Sequence, residues 1–172
     1  MVMKNIVLTG FMGTGKTEVG KELARLLDVP LIDIDSNIEK SEQMTINDIF
    51  KQRGEIKFRE IETRMIRKIS QRENIVISTG GGAVMKDENM EALRRNGIVI
   101  CLMASPETIL LRISNNSDRP LLQGENPLRK IEELLHIRQP FYDKADIIID
   151  TENRTPLQIA EEIIERIRNY KH

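Results

Sequence analysis

Short apolar runs alternate with helical periodicity along this chain of 172 residues. Five runs predict buried β-strands, at residues 5–9, 30–35, 74–78, 97–103 and 146–150. Between them, apolar residues recur at helical spacing, as Val19, Leu23 and Leu27 do after the first run. Strands that are apolar on both faces are typical of a parallel sheet covered by helices. The pattern therefore predicts an α/β fold with a doubly wound parallel sheet.

Several helix starts are also visible in the sequence. Ser36 and Glu39 have the spacing of a capping box, so one helix is predicted to begin at Ser36. Another should follow Thr45, and a longer one should bury one face of residues 58–69. Ligands of such sheets bind beyond the carboxyl ends of the strands. The polar residues that follow each strand are therefore the candidates for function.

Composition narrows the class of protein. The length predicts one domain over residues 1–172. A net charge of -1 gives no basic field for nucleic acid, and no segment approaches the length of a membrane span. The one cysteine, Cys101, excludes a disulfide within the chain and suits a reducing compartment. We expect a cytoplasmic monomer that binds neither nucleic acid nor membrane.

The first loop carries a phosphate-binding motif. Residues 8–20 read LTGFMGTGKTEVG, which satisfies G-x-x-x-x-G-K-[ST] between a strand and a helix. Glycines let backbone N–H groups converge on an anion, and the helix N-terminus adds positive partial charge. Lys16 would reach the β and γ phosphates of ATP, and Thr17 would offer its hydroxyl to Mg²⁺. A glycine-rich turn with an exposed lysine is the alternative, which the position of the loop disfavours. The predicted ATP contacts in this loop are Gly13, Thr14, Gly15, Lys16, Thr17 and Glu18.

Two acids end the second predicted strand, and they suggest the acceptor side. Strand alternation would send Asp33 and Asp35 to the same side. One could bind the water shell of Mg²⁺, and the other could accept a hydrogen bond from a substrate hydroxyl and take its proton. Helix capping is the alternative role for this pair. Because Ser78 ends the third strand where many phosphate-loop proteins have an aspartate, metal binding rests on Thr17 and Asp33.

Arginines and glycines complete the acceptor candidates. Arg59 has a planar guanidinium that suits a carboxylate, although it could instead pair with Glu55 or Glu62 on its own helix. Arg112 precedes a polar loop, residues 114–127, and Arg119 lies within it; the loop is either a mobile lid or a plain connection. Either arginine could be a solvated surface charge. Three glycines follow the third strand and would permit close approach of a ligand to the backbone or form a tight turn: Gly80, Gly81 and Gly82.

The ordered set of motifs resembles the shikimate kinase family over essentially the whole chain. It comprises GFMGTGKTEVG, DID, FRE followed by Glu62, STGGG, RPLL and RQPFY. The resemblance implies a P-loop fold like that of nucleoside monophosphate kinases, with five parallel strands in the order 2-3-1-4-5 and a mobile lid. It implies transfer of the ATP γ-phosphoryl group to the 3-hydroxyl of shikimate, with Mg²⁺, on the route to chorismate and the aromatic amino acids.

The resemblance also implies residue roles. Asp35 would bind the shikimate hydroxyls and act as the base, and Asp33 would orient Mg²⁺-bound water. The acceptor region is expected near residues 33–61 and the lid near 114–124. Lys16, Asp35 and Arg119 would be catalytic. The remaining substrate contacts would be Arg59 and Arg138 on the carboxylate and Gly80, Gly81 and Gly82 under the ring. The remaining ATP contacts would be Arg112, Arg119, Arg154 and Pro156, with Arg112 and Pro156 on opposite faces of the adenine.

Two other functions stay open at this point. A kinase for another small polyol acid, such as gluconate, would keep the phosphate loop and the sheet. A nucleotide-binding regulatory module would bind ATP without acceptor chemistry. Two arginines available for one carboxylate beside the D-x-D pair argue against both.

Overall fold

The computed structural model describes residues 4–114 and 126–170. Its centre is a parallel five-stranded sheet in the order β2-β3-β1-β4-β5, which confirms the predicted fold. The strands are β1 Asn5–Thr9, β2 Leu31–Asp33, β3 Val76–Ser78, β4 Gly97–Met103 and β5 Ile147–Asp150. The helices are α1 Lys16–Leu27, α2 Ile34–Glu42, α3 Ile46–Ile69, α4 Asp87–Arg95, α5 Pro106–Ile113, α6 Pro127–Tyr142 and α7 Pro156–Asn169. A short 3-10 helix, Ala83–Met85, lies between β3 and α4.

Two apolar clusters pack on opposite faces of the sheet. One joins residues of α2, α3, α4 and α6 to the sheet, and it includes the buried thiol of Cys101. The other joins α1 and α7 to residues of β1, β4 and β5. Burial on both faces, predicted for all five strands, fails at the edge strand β5, where Ile148 is 42% exposed. The first cluster contains no residue of β5, so only the α7 face of this strand is covered.

The boundary between β2 and α2 differs from the prediction. The strand ends at Asp33, whose side chain accepts a 2.9 Å hydrogen bond from the backbone N–H of Ser36. Asp33 is thus the N-cap of α2, and Asp35 lies in the first helical turn rather than on the strand. The start predicted at Ser36 is wrong because an aspartate cap and an acid in the first turn both stabilise an earlier start.

Helix α3 contains a break at Gly54, whose backbone angles are φ 80° and ψ 168°. It therefore consists of two helical pieces, as the separate signals after Thr45 and over residues 58–69 predict. Thr45 caps the first piece by accepting from the backbone N–H of Asp48. Glycine tolerates this positive φ without the steric cost of a Cβ.

Strand register brings the polar loops together. Leu8 and Asp33 both pair with Ser78, so β1, β2 and β3 end at the same edge. The phosphate loop, the acidic pair and the three glycines consequently meet there. Over residues 4–114 and 126–170, no helix has the length and apolar character needed to cross a membrane.

Candidate active site

The phosphate loop is held open by glycine conformations. Gly10, Gly13 and Gly15 all have positive φ, at 130°, 77° and 95°. A Cβ on Gly10 would come 2.3 Å from the carbonyl oxygen of Leu102, so a larger residue would displace backbone. Helix α1 begins immediately after Gly15, at Lys16. The loop thus places backbone N–H groups and a helix N-terminus at one point, as an anion requires.

Polar side chains of this loop bind the loop itself. The Lys16 ammonium donates 2.8 Å hydrogen bonds to the carbonyl oxygens of Gly10 and Phe11. The buried Thr14 hydroxyl also donates to Phe11 O, at 2.8 Å. Thr17 is exposed in the first turn of α1, and Glu18 forms an exposed ion pair with Lys21 at 2.7 Å. The side chains of Lys16 and Thr14 therefore stabilise the conformation of the loop.

Three other predicted nucleotide residues, Arg112, Arg154 and Pro156, lie on or contact the segments near the end of β5. The Arg112 guanidinium donates to Thr151 Oγ1 at 3.0 Å, to Thr151 O at 2.9 Å and to Gly13 O at 3.3 Å. Arg154 donates to Asp150 O at 3.1 Å, and Pro156 is the first residue of α7. Arg112 is exposed, and these bonds link the phosphate loop to the residue that follows β5. Its contact with the adenine stays a prediction.

Two carboxylates flank Gly80 on the acceptor side. A Cβ on Gly80 would lie 3.0 Å from Asp35 Oδ1 and 3.1 Å from Glu62 Oε1. Both of these oxygens are buried, and neither has a hydrogen-bond partner in the part of the chain that the structure describes. Buried polar atoms without partners are rare and mark places where a ligand or water completes the structure. Asp35 therefore faces Gly80 from helix α2. The prediction that Asp35 lies on a strand is wrong.

Charge and burial shift the acid–base properties of this pair. Burial raises the pKa of Asp35 from 3.8 to about 6, and the negative charges of Asp33 and Glu62 add to the rise. The positive charges of Lys16 and Arg59 oppose it. Burial also raises the pKa of Glu62, against the influence of Arg59. A carboxyl group with a pKa near 6 is ionised at neutral pH and can still accept a proton readily.

Arg59 lies on helix α3 and faces the turn formed by Gly80, Gly81 and Gly82. Its guanidinium bonds Glu62 Oε2 at 2.8 Å and Glu55 Oε1 at 3.3 Å, as the helix-pairing alternative predicts. It also faces the turn, because a Cβ on Gly82 would meet Arg59 Nη2 at 2.6 Å. Arg59 thus pairs on its own helix while it faces Gly82, and its contact with a substrate carboxylate stays a prediction.

Arg138 reaches the same turn from helix α6. It is only 7% exposed, and its guanidinium carbon lies 5.3 Å from the centre of the Phe11 ring. A Cβ on Gly81 would come 3.2 Å from Arg138 Nη1. The three consecutive glycines thus face, in turn, two carboxylates, one guanidinium and a second guanidinium. We call residues 80–82 the glycine turn, and we call the side chains of Asp35, Glu62, Arg59 and Arg138 around it the charged rim.

Sequence reasoning did not assign functional roles to three side chains that the structure brings to the rim. Glu62 is fully buried and was considered only as a partner of Arg59. Phe11 supports Arg138, and the Tyr142 hydroxyl donates to Gly81 O at 2.8 Å. An acid at helical spacing from Arg59, next to apolar Ile61, was the available signal for Glu62. Phe11 and Tyr142 lie within the motifs GFMGTGKTEVG and RQPFY, but their contacts with the rim depend on packing between distant segments.

A divalent cation would find few protein ligands here. Among residues 4–114 and 126–170, no three His, Cys, Asp or Glu side chains cluster as a metal site. Mg²⁺ usually keeps several waters and uses one or two protein ligands together with phosphate oxygens. The exposed Thr17, after the loop that follows β1, and Asp33, at the end of β2, fit that pattern. Arg119 and nearly all of the predicted lid, 114–124, lie outside the described residues.

The phosphate loop, placed between β1 and α1 of a parallel sheet of this order, defines a P-loop kinase fold. A family model described as "Shikimate kinase" matches residues 12–168. The chain belongs to the shikimate kinase family. That assignment confirms the resemblance seen in the motifs, and with it the ATP-dependent kinase class.

Individual relatives agree with the family assignment. A shikimate kinase from Thermodesulfovibrio yellowstonii is 51% identical, over 98% of this chain and 99% of the relative. The solved structure of a shikimate kinase from Acinetobacter baumannii in complex with shikimate has a TM-score of 0.93 at 40% identity, covering 97% of this chain and 94% of that one. A gluconokinase from Sinorhizobium meliloti has a TM-score of 0.59 at 18% identity, which is a likeness of fold alone.

Proposed function

We propose that this chain transfers the γ-phosphoryl group of ATP to the 3-hydroxyl of shikimate, giving shikimate 3-phosphate and ADP. The observation that carries the proposal is the charged rim of the glycine turn beside the phosphate loop. Shikimate is a small ring with one carboxylate and several hydroxyls. Two guanidinium groups match the carboxylate, and buried carboxylate oxygens without partners match hydroxyl donors.

The acceptor residues divide into binding and proton transfer. Arg59 and Arg138 hold the shikimate carboxylate through their planar N–H groups. Asp35 accepts a hydrogen bond from the reacting hydroxyl and takes its proton as the phosphoryl group transfers. Its pKa of about 6 keeps it ionised at neutral pH, and the nearby charges of Lys16 and Arg59 favour that form. Close approach of the ring is allowed because residues 80–82 have no side chains.

The donor residues hold and align the nucleotide. Lys16 exchanges its contacts with Gly10 O and Phe11 O for the β and γ phosphates, while the backbone of residues 13–17 surrounds the phosphates. Arg112 and Pro156 lie against the adenine, with Arg154 beside them. Phosphoryl transfer needs alignment and charge neutralisation more than covalent chemistry. Placing donor and acceptor at the ends of adjacent strands supplies the alignment.

Mg²⁺ is the proposed cofactor, and Thr17 and Asp33 are its proposed protein contacts, the latter through water. When bound with ATP, the ion neutralises charge on the phosphates. Asp33 also caps α2, and its carboxylate keeps further acceptor sites beside the one that binds the Ser36 N–H.

Several expectations from the sequence stay predictions. They are the phosphate contact of Arg119, the lid at 114–124, the ATP contacts of Thr14 and Glu18, one domain over 1–172, a monomeric state, a cytoplasmic location and no binding of nucleic acid. The Thr14 hydroxyl is already bonded to Phe11 O, so any phosphate contact there would come from its backbone or require rearrangement.

An acceptor screen tests the proposal directly. ADP release is measured by a coupled assay with shikimate, gluconate, adenylate and no acceptor, each with MgATP. We expect turnover with shikimate only. Turnover with gluconate and not with shikimate would show that gluconate, rather than shikimate, is the substrate. ATP binding without acceptor-dependent ADP release would favour the regulatory module.

A further inference from the structure

Tyr142 lies at the end of helix α6, four residues after Arg138, so the two side chains share one helix face. The residue is 1% exposed and is among the largest fully buried side chains of the described chain. Its ring packs in the apolar cluster that covers the α3 face of the sheet. Burial of the ring alone would be served equally well by phenylalanine. The hydroxyl group is therefore the part that needs an explanation.

That hydroxyl is directed at the glycine turn. It donates a 2.8 Å hydrogen bond to the carbonyl oxygen of Gly81. Arg138 also lies close to this residue, since a Cβ on Gly81 would meet Arg138 Nη1 at 3.2 Å. Burial raises the pKa of Tyr142, to about 12, although the positive charge of Arg138 opposes the rise.

A phenol has one proton to donate and two lone pairs that accept. With its proton on Gly81 O, the Tyr142 oxygen presents only acceptor sites to the guanidinium. Phe11 supports the guanidinium from the phosphate-loop side. Arg138 thus lies between the Phe11 ring and the Gly81 backbone, on the helix face that also carries Tyr142.

We propose that Tyr142 is a positioning residue that sets the binding geometry for the acceptor carboxylate by holding the Arg138 guanidinium and the Gly81 carbonyl in one arrangement. It touches neither substrate. The inference rests on the proposed function, because it assumes that Arg138 binds the carboxylate of the acceptor. It goes beyond that function by assigning acceptor affinity to a hydroxyl buried behind the site.

The first test is the variant Tyr142→Phe, which keeps the ring and removes the oxygen. We expect KM for shikimate to rise about tenfold, as for the loss of one charge-assisted hydrogen bond. KM for ATP should stay within about twofold of the wild-type value, since the nucleotide contacts lie elsewhere. Tyr170→Phe is the matched control, because Tyr170 is the only other tyrosine and follows the end of α7. It should leave both KM values unchanged.

A double-mutant cycle separates positioning from general stabilisation. If Tyr142 acts through Arg138, adding Tyr142→Phe to Arg138→Lys should raise KM for shikimate much less than it does in the wild type. Equal, additive increases would overturn the proposal. A wild-type protein that turns over shikimate while Tyr142→Phe shows an unchanged KM would also overturn it. Absence of shikimate turnover in the wild type would instead refute the proposed function.

A measurement on the folded wild-type site covers the case in which Tyr142→Phe is too unstable to assay. In Tyr170→Phe protein labelled with 3-fluorotyrosine, Tyr142 gives the single ¹⁹F resonance. We expect this resonance to shift when shikimate is added and to stay within its linewidth when ADP alone is added. A resonance that ignores shikimate, or that responds equally to both ligands, would show that the hydroxyl serves packing only.

Discussion

The nucleotide half and the acceptor half of the site are built in different ways. The phosphate loop comes from eight consecutive residues, 10–17, and relies on backbone N–H groups and glycine conformations. The acceptor half comes from α2, α3, α6 and the turn after β3, and relies on charged side chains. A contiguous backbone site can be specified by local sequence. A site that combines side chains of three helices with a glycine turn exists only once those four segments pack.

The two halves also differ in how many of their polar side-chain atoms form hydrogen bonds within the protein. Lys16 and Thr14 bond carbonyl oxygens of their own loop. Asp35 and Glu62 each keep a buried oxygen without a described partner, and both have a raised pKa. Buried charges without full pairing cost stability, and such costs concentrate at functional sites. The acceptor half is therefore the part that trades stability for function.

The variant Asp35→Asn tests that trade most strongly. Loss of the proton acceptor should lower kcat by about 10³-fold. At pH 7 the same change should raise Tm, by about 2–4 °C for each kcal/mol recovered, because it removes a buried charge from the folded state. Shikimate-dependent turnover and thermal unfolding measure the two effects. Asp87→Asn, on an exposed side chain of α4, is the matched control and should change neither. A fall in Tm would contradict the comparison.

The variant Lys16→Met tests the nucleotide half. Removing one preorganised charge contact with the transferring phosphate should lower turnover by about 10²-fold. KM for shikimate should change little, because Arg59 and Arg138 remain. Lys21→Met is the control on the same helix, where the lysine forms only an exposed pair with Glu18. Steady-state kinetics with both substrates varied measure these effects. A near-normal rate for Lys16→Met would remove Lys16 from the mechanism.

The pH dependence of kcat/KM for shikimate tests the raised pKa of Asp35. Because the base must be ionised, the value should fall about tenfold for each unit below pH 6 and level off above pH 7. The contribution of Asp35 to the free energy of unfolding changes with pH in the opposite direction. The folded pKa lies above the usual value of 3.8, so this group's contribution is present below pH 3.8 and is lost as pH rises through about 6. A kcat/KM profile that stays level down to pH 5 would exclude Asp35 as the base.

The smallest expected effect compares two glycine substitutions. In Gly82→Ala the new Cβ would meet the flexible end of Arg59 at 2.6 Å, so the arginine moves and KM for shikimate rises about threefold with little change in Tm. In Gly97→Ala the contact, also 2.6 Å, is with the backbone oxygen of Leu93. That variant should lose stability and keep its KM. Parallel kinetics and melting curves on both proteins would expose any departure from this division.

Much of the molecule could be predicted from local patterns. The runs at 5–9 and 97–103 match β1 and β4, and a helix follows Thr45 as predicted. The phosphate loop was fully visible because its function depends on residues adjacent in sequence. The D-x-D pair was placed on one strand, whereas the cap at Asp33 begins α2 and puts Asp35 on the helix. Capping and strand continuation compete for the same residues there, and alternation alone does not decide between them.

The sequence by itself determined the sheet-forming runs, the anion-binding loop and the set of motifs that indicates the family. Each depends on near neighbours or on order along the chain. Only the tertiary structure decided that Glu62 is fully buried, that Arg59 pairs while facing Gly82, and that Tyr142 reaches Gly81 across 61 positions. Desolvation and hydrogen bonding between distant segments have no local signature, because they arise only when helices pack on the sheet.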